Sequence, residues 1–137
     1  PSLRATLFDL PSRGPTLAGE GLQDKEGAPE ILGNGDRVAA LVDYLLRRDR
    51  QAFDRFVRAA CAHIPGAVDL HVTVPSPSAR DLALKIDSGA IFDAEELSAG
   101  VRLMLFFLAI AHHPSPPELI LLEEPEKGVH PRRLAGL

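Results

Sequence analysis

The chain has 137 residues, 45% of them hydrophobic and 25% charged, so it can bury a core and is not of the disordered class. Its net charge of −4 gives no overall attraction to nucleic acid or acidic membranes. The single cysteine excludes an internal disulfide and favours a reducing, cytoplasmic location. The longest apolar stretch contains an arginine and is shorter than the roughly 20 residues of a membrane span.

Residues 1–35 contain many turn formers and are interpreted as a loop-rich segment with one short strand at LRATLF, 3–8. Residues 36–90 predict two helices followed by a β-hairpin. Asn34 or Asp36 is suited to cap the first helix. Its apolar positions recur at helical spacing: Val38, Leu41, Val42, Leu45 and Leu46.

The second helix is predicted over 50–62, with Pro65 and Gly66 ending it. Alternating apolar and polar residues then predict two strands, VDLHVTV and RDLALKI, joined by a tight link. The apolar stripe expected on the second helix consists of Phe53, Phe56, Val57, Ala60 and Ile64.

Residues 91–137 predict a helix from Ser98 to His112 or His113, followed by a strand at LILL, 119–122. The helix is apolar nearly all round over 103–111, so we expect it to be buried on most sides. The strand is a continuous apolar run of the kind found in central parallel strands, which need neighbours on both sides. If those neighbours are missing, we expect the strand to be poorly paired.

Two carboxylates, Glu123 and Glu124, follow this strand directly. The carboxyl edge of an open α/β sheet is where ligands bind. One carboxylate there can hold Mg²⁺ through its water shell, and its neighbour can orient an attacking water, as phosphoryl transfer requires. Upstream, Ser98 and Gly100 begin the apolar helix, where a hydroxyl, bare backbone N–H groups and the helix dipole favour a phosphate.

In order and spacing, Leu97-Ser98-Ala99-Gly100 and the strand ending in Glu123-Glu124 resemble the signature motif and the Walker B strand of ABC-type ATPases. The resemblance is closest to the SMC-like and RecF-like ATPases of the AAA type, whose Walker B strand commonly ends in Glu-Glu-Pro-Glu-Asn-Gly-Leu-His-Pro. This chain departs from that pattern at Lys127 and Val129.

The resemblance implies an α/β fold that is part of a P-loop NTPase. In it, residues 36–90 form a lid region of two helices and a β-hairpin, and residues 91–137 form the signature helix and the Walker B strand. It implies ATP and Mg²⁺ as cofactors, with Glu123 at the metal and Glu124 as the catalytic residue. It also implies that Ser98, Gly100 and Arg102 contact ATP held by the opposite subunit of a head-to-tail dimer.

The chain contains no Gly-x-x-x-x-Gly-Lys-Ser/Thr phosphate loop. It begins at Pro1 and ends at Leu137 just after a new helix starts, so we expect a piece of a larger ATPase that lacks its N-terminal lobe. Such a piece is expected to bind ATP poorly and to be inactive alone. The alternative is a non-catalytic dimerisation or scaffold module derived from the same fold.

Several residues have plainer interpretations that stay open. Arg102 adds charge to the phosphate site or pairs with Glu95 or Glu96. The arginine-rich segment LLRRDRQAFDRFVR contains interspersed aspartates, which favours a solvated face and leaves DNA as an alternative partner. Cys61 is read as a small core residue and the pair at 112–113 as a helix end rather than a metal site. No membrane partner is expected.

Overall fold

The computed structural model describes residues 5–9, 15–20, 27–31, 35, 37–116 and 119–123. These residues form a mixed helix and sheet architecture that is compatible with an α/β fragment. In chain order its elements are β1 (Ala5–Asp9), β2 (Gly19–Glu20), α1 (Val38–Arg48), α2 (Arg50–His63), β3 (Ala67–Ser76), β4 (Ala79–Ile86), β5 (Ile91–Asp93), a 3₁₀ turn (Ala94–Glu96), α3 (Ala99–Ala111) and β6 (Leu119–Glu123).

Helix α1 is capped by backbone groups rather than by a side chain. Its N-cap residue is Arg37, which makes no side-chain capping bond, whereas the sequence predicted Asn34 or Asp36 as the cap. Both of those residues lie outside the described ranges. The N–H of Val38 instead donates to the carbonyl of Gly35 at 3.2 Å, and the N–H of Ala39 donates to that of Leu17 at 2.9 Å. These bonds satisfy donors that every helix start leaves open.

Helix α2 agrees with the prediction from its apolar stripe. Asp49 ends α1 and also caps α2, where its carboxylate accepts the N–H of Ala52 at 3.1 Å. Phe53, Phe56, Ala60 and Ile64 are buried, and Val57 packs partly against the same core.

The predicted hairpin is also present. Strands β3 and β4 pair antiparallel with Leu70 opposite Leu84 and His71 opposite Ala83, and the register shifts near both ends of β3. Two short strands that the sequence does not announce complete this sheet: β2 and β5 both pair with β4. In β4, Leu82 and Leu84 are buried in one core with α1, α2 and α3.

A buried ion pair joins α1 to the hairpin. Asp43 is only 7% exposed. Among the described residues it is the single polar or charged residue that is buried. One oxygen of Asp43, Oδ2, lies 3.1 Å from Arg80 Nε on β4 and 3.1 Å from an Arg47 terminal nitrogen one turn along α1. Arg80 also donates to the carbonyl of Ala79 at 2.8 Å, so the hairpin end is held at several points.

Helix α3 is buried along one side and half-buried along the other. Leu103, Leu105, Phe106, Ala109 and Ile110 are buried, which is the part of the all-round burial prediction that the structure confirms. Val101, Met104, Phe107 and Leu108 are half-buried against the edge of the core, and Ala111 at the end of the helix is exposed.

Strands β1 and β6 form a separate parallel pair. The register runs from Ala5 opposite Leu119 to Asp9 opposite Glu123. The strand predicted over 3–8 is therefore seen at 5–9, and the LILL strand extends by one residue. Within the described residues β6 has β1 as its one neighbour, so the expected central strand is paired on one side.

Candidate functional site

The carboxyl edge of the β1–β6 pair carries the first candidate residue. Glu123 is the last residue of β6, at the edge where ligands bind in open α/β sheets. Its register partner is Asp9, the last residue of β1, so two acidic residues sit opposite each other on strands roughly 4.8 Å apart. Glu124, the predicted catalytic residue, lies outside the described residues.

Asp9 is the residue that sequence reasoning missed. The available signal was an acid directly after the apolar run ATLF, the same pattern that singled out Glu123 after LILL. What the sequence could not supply was the pairing, because the two strands are more than a hundred residues apart in the chain.

The start of α3 carries the second group of candidates. Ser98 is the N-cap, with an extended backbone at φ −65° and ψ 159°, and its hydroxyl oxygen accepts the N–H of Val101 at 3.3 Å. The side chain is exposed. Gly100 lies in the first turn, without a side chain to cover the N–H groups there. This turn has the positive dipole end and the exposed hydroxyl that an anion would meet.

The segment before Ser98 holds that helix start in place. Residues 94–96 form the 3₁₀ turn, in which the Glu96 carboxylate accepts the N–H of Asp93 at 3.0 Å. Leu97 then leads in extended conformation to Ser98 and packs partly against the core. The Glu96 carboxylate is therefore already engaged with backbone.

Arg102 lies on the core side of α3, because it shares a helix face with Phe106 and Ala109, four and seven residues later, and both are buried. Its Nε atom is fully buried and makes no hydrogen bond within the described part of the chain. Among those residues the structure shows no ion pair from Arg102 to Glu95 or Glu96. A buried donor without an acceptor costs about 1–3 kcal/mol, and because this nitrogen has no exposed surface, an outside acceptor could reach it only after the side chain moves.

The two groups of candidates lie on different parts of the fold. Ser98, Gly100 and Arg102 come together within the first turn of α3, whereas Glu123 ends a strand of the parallel pair. The structure therefore places Ser98, Gly100 and Arg102 at one helix start, with Ser98 exposed and Arg102 on the core side, and places Glu123 at a strand edge.

The histidines at the end of α3 have structural partners. His112 Nδ1 donates to the carbonyl of Leu108 at 2.8 Å. His113 Nε2 donates to the carbonyl of Pro29 at 2.9 Å, and its Nδ1 accepts the N–H of Ser115 at 2.9 Å. In the ranges that the structure describes, no group of three or more histidine, cysteine or acidic residues could hold a metal ion.

Cys61 is half-buried on α2. Burial raises the pKa of its thiol, and the nearby Asp69 carboxylate raises it further. A thiol with a raised pKa is a weak nucleophile, as expected of a cysteine that fills space at the core edge.

A family described as AAA domain, putative AbiEii toxin, Type IV TA system matches residues 31–137, which include α1 to β6 and leave out β1 and β2. No curated protein and no solved structure matches the chain. None of the helices that the structure describes has the length and apolar character needed to cross a lipid bilayer.

Proposed function

The chain belongs to this AAA-domain family, a family of nucleotide-binding, ATPase-like domains, and from that membership we propose that it forms part of a Mg²⁺-dependent, ABC-type and SMC-like ATP-hydrolysing site. The observation that carries the proposal is the position of Glu123 at the carboxyl edge of a parallel strand, within residues that the family matches.

In this proposal Glu123 holds the metal and Glu124 orients the attacking water. A hard carboxylate oxygen at a strand edge suits Mg²⁺, which keeps several waters and so tolerates an indirect contact. Hydrolysis of ATP then depends on positioning the water and neutralising the phosphate charge, with no covalent intermediate on the protein.

The start of α3 supplies the phosphate contacts in trans. Ser98 presents an exposed hydroxyl, Gly100 leaves first-turn backbone open, and Arg102, which is half-buried, adds the positive charge of its guanidinium group. We place these groups against ATP bound to a second copy, in a head-to-tail dimer with two-fold symmetry. A phosphate loop in further sequence completes each site.

The test uses the intact protein that contains this chain. Glu124→Gln should retain ATP binding and lower turnover by about a hundredfold or more, because the amide cannot act as the base that orients water. Glu126→Gln, two residues further along, is the matched control and should retain turnover. Retained turnover in Glu124→Gln would remove Glu124 from its role.

A mixing experiment separates sites built in trans from sites built within one subunit. Ser98→Arg should abolish turnover alone, because the bulky cation fills the phosphate turn. Mixed with Glu124→Gln, it should recover about a quarter of the wild-type sites, since half of the dimers are mixed and each mixed dimer has one intact site. No recovery on mixing would contradict the head-to-tail arrangement.

The absence of a phosphate loop from these 137 residues favours a second candidate, a non-catalytic dimerisation or scaffold module. Calorimetric titration of this chain with ATP and Mg²⁺ tests the half-site. Tight Mg²⁺-dependent binding by the chain alone would contradict the proposal that other polypeptide completes the pocket. Binding without turnover in the intact protein would favour the scaffold module.

A further inference from the structure

The end of α1 and the outer face of α2 concentrate positive charge. Five arginines fall within the twelve residues 47–58, against two aspartates, although the whole chain has a net charge of −4. The arginines are Arg47, Arg48, Arg50, Arg55 and Arg58, and we call them the arginine face. All five are exposed.

The aspartates near this face are occupied by other contacts. Asp43 is buried and binds Arg47 and Arg80. The carboxylate of Asp49 caps α2, and that of Asp54 lies 3.4 Å from Arg50. The aspartates interspersed in this segment favoured a solvated face of mixed charge. Their contacts leave part of the positive charge of the arginine face uncompensated.

Three arginines have no acid partner among the residues that the structure describes. Within the described chain, Arg48, Arg55 and Arg58 form no ion pair or hydrogen bond through their side chains. On α2, Arg55 and Arg58 are three residues apart, so they are neighbours on the helix surface. They lie on the side of α2 opposite to Phe53 and Phe56, which face the core.

We propose that the arginine face binds the phosphate backbone of duplex DNA. Guanidinium groups match phosphate oxygens in pairs, and no lysine occurs between residues 36 and 66. On α2 the face extends from Arg50 to Arg58, roughly 12 Å along the helix, which is several times the spacing of phosphates along duplex DNA. None of these arginines is among the residues proposed for the nucleotide site, so the inference does not rest on the proposed function.

The same helix argues for a duplex rather than a single strand. Proteins that bind single strands stack bases on exposed aromatic rings. The aromatic residues of α2 are Phe53, at 8% exposure, and Phe56, at 0%. Arg50 also lies over the Phe53 ring, 5.5 Å from its centroid. The face thus offers charge for a backbone and no ring for a base.

The experiment measures fluorescence anisotropy of a labelled 30-base-pair duplex with the full 137-residue chain between about 50 and 200 mM salt. The variant Arg48→Gln/Arg55→Gln/Arg58→Gln removes the three unpaired charges. It should lower affinity at low salt by about tenfold or more and reduce the salt slope by about 2–3, because each lost phosphate contact removes close to one released counterion.

The matched control changes net charge by the same amount elsewhere. Val68→Glu/Val74→Glu/Ile91→Glu adds three negative charges at positions that are 51%, 57% and 55% exposed on the sheet. This control should lose less affinity than the arginine variant and keep the wild-type salt slope within about one unit. Thermal unfolding monitored by circular dichroism verifies that both variants are folded.

Three outcomes would overturn the proposal. The first is wild-type chain that does not bind the duplex at 50 mM salt. The second is equal loss of affinity in the two variants, which would reduce the effect to net charge alone. The third is tighter binding of a single strand or of duplex RNA than of duplex DNA, which would assign the face to a different nucleic acid.

Discussion

Residues 37–116 and the β1–β6 pair are stabilised in different ways. The first region, which we call the helix–hairpin unit, packs α1, α2 and α3 against the hairpin around a shared core, with Phe56 and Phe106 fully buried. The β1–β6 pair joins strands from opposite ends of the chain and is two strands wide in the described residues. An isolated two-stranded sheet is marginal in water.

The candidate chemistry is divided between these regions. The helix–hairpin unit positions Ser98 and Arg102. Glu123, the proposed metal ligand, ends a strand of the β1–β6 pair. The proposed phosphate contacts therefore lie on well-packed elements, and the proposed metal ligand lies on a strand with one neighbour in the described residues. Under the proposed function, strands outside these residues would support β6 on its other side.

Hydrogen exchange gives the largest expected difference between the two regions. In the isolated chain, the slowest amide of Ile120–Leu122 should exchange at least about a hundredfold faster than the slowest of Leu82–Leu84, because β4 has strands on both sides and β6 has one neighbour. The measurement is exchange followed by nuclear magnetic resonance, corrected for intrinsic rates. Equal protection in a monomer would place both regions in one cooperative unit and break the comparison.

The buried ion pair should contribute the next largest effect, within the helix–hairpin unit. A double-mutant cycle of Asp43→Ala and Arg80→Ala should give a coupling energy of about 1–3 kcal/mol, because the pair is buried and shares hydrogen bonds with the hairpin end. Urea unfolding measures it. The same cycle on the exposed pair Arg50 and Asp54, which is 3.4 Å apart, should give about 0.3–0.5 kcal/mol. Equal values for the two pairs would show that the ion pair does not fasten the hairpin to α1.

Sequence reasoning predicted the elements whose information is local. The stripe from Phe53 to Ile64 indicated α2, the alternation in VDLHVTV and RDLALKI indicated the hairpin, and Ser98 indicated the start of α3. Each of these patterns repeats with the period of its own element, so a short window is enough to detect it.

The remaining features depend on partners far away in the chain. Strand β2 is two residues long and exists because Gly19 and Glu20 pair with Arg80 and Ala79. The backbone cap of α1 by Leu17 and the register of Asp9 with Glu123 are likewise set by tertiary contacts. For the candidate site, the sequence proposed the residue types and their spacing, and the neighbour of the predicted Walker B strand had to come from the fold.

The smallest expected effect is a pH dependence of the helix–hairpin unit that comes from Asp81 on β4. Burial raises the pKa of the Asp81 carboxyl, with Asp93 and Glu95 adding to the rise, while N–H groups of Leu82 and Ala94 oppose it. The folded state therefore binds this proton more tightly than the unfolded state. Stability should then fall as pH rises from the ordinary aspartate pKa of about 3.9 through the raised folded pKa.

Asp81→Asn tests that sign. In the wild-type chain the Leu82 N–H donates to the Asp81 carboxylate at 2.7 Å, and the amide of the variant keeps an oxygen for this bond. The variant removes the negative charge that burial and the neighbouring acids disfavour. The variant should be more stable than wild type near pH 7 by a few tenths of a kcal/mol, since the group is half-exposed and screened, and the gain should vanish below about pH 3.9. Asp69→Asn is the control, because its carboxylate makes the equivalent bond to the Leu70 N–H at 2.8 Å. A gain in stability for Asp81→Asn that persists at low pH, or a gain that Asp69→Asn reproduces, would assign the effect to the amide itself. The hairpin would then contribute no pH dependence of stability that distinguishes it from the β1–β6 pair.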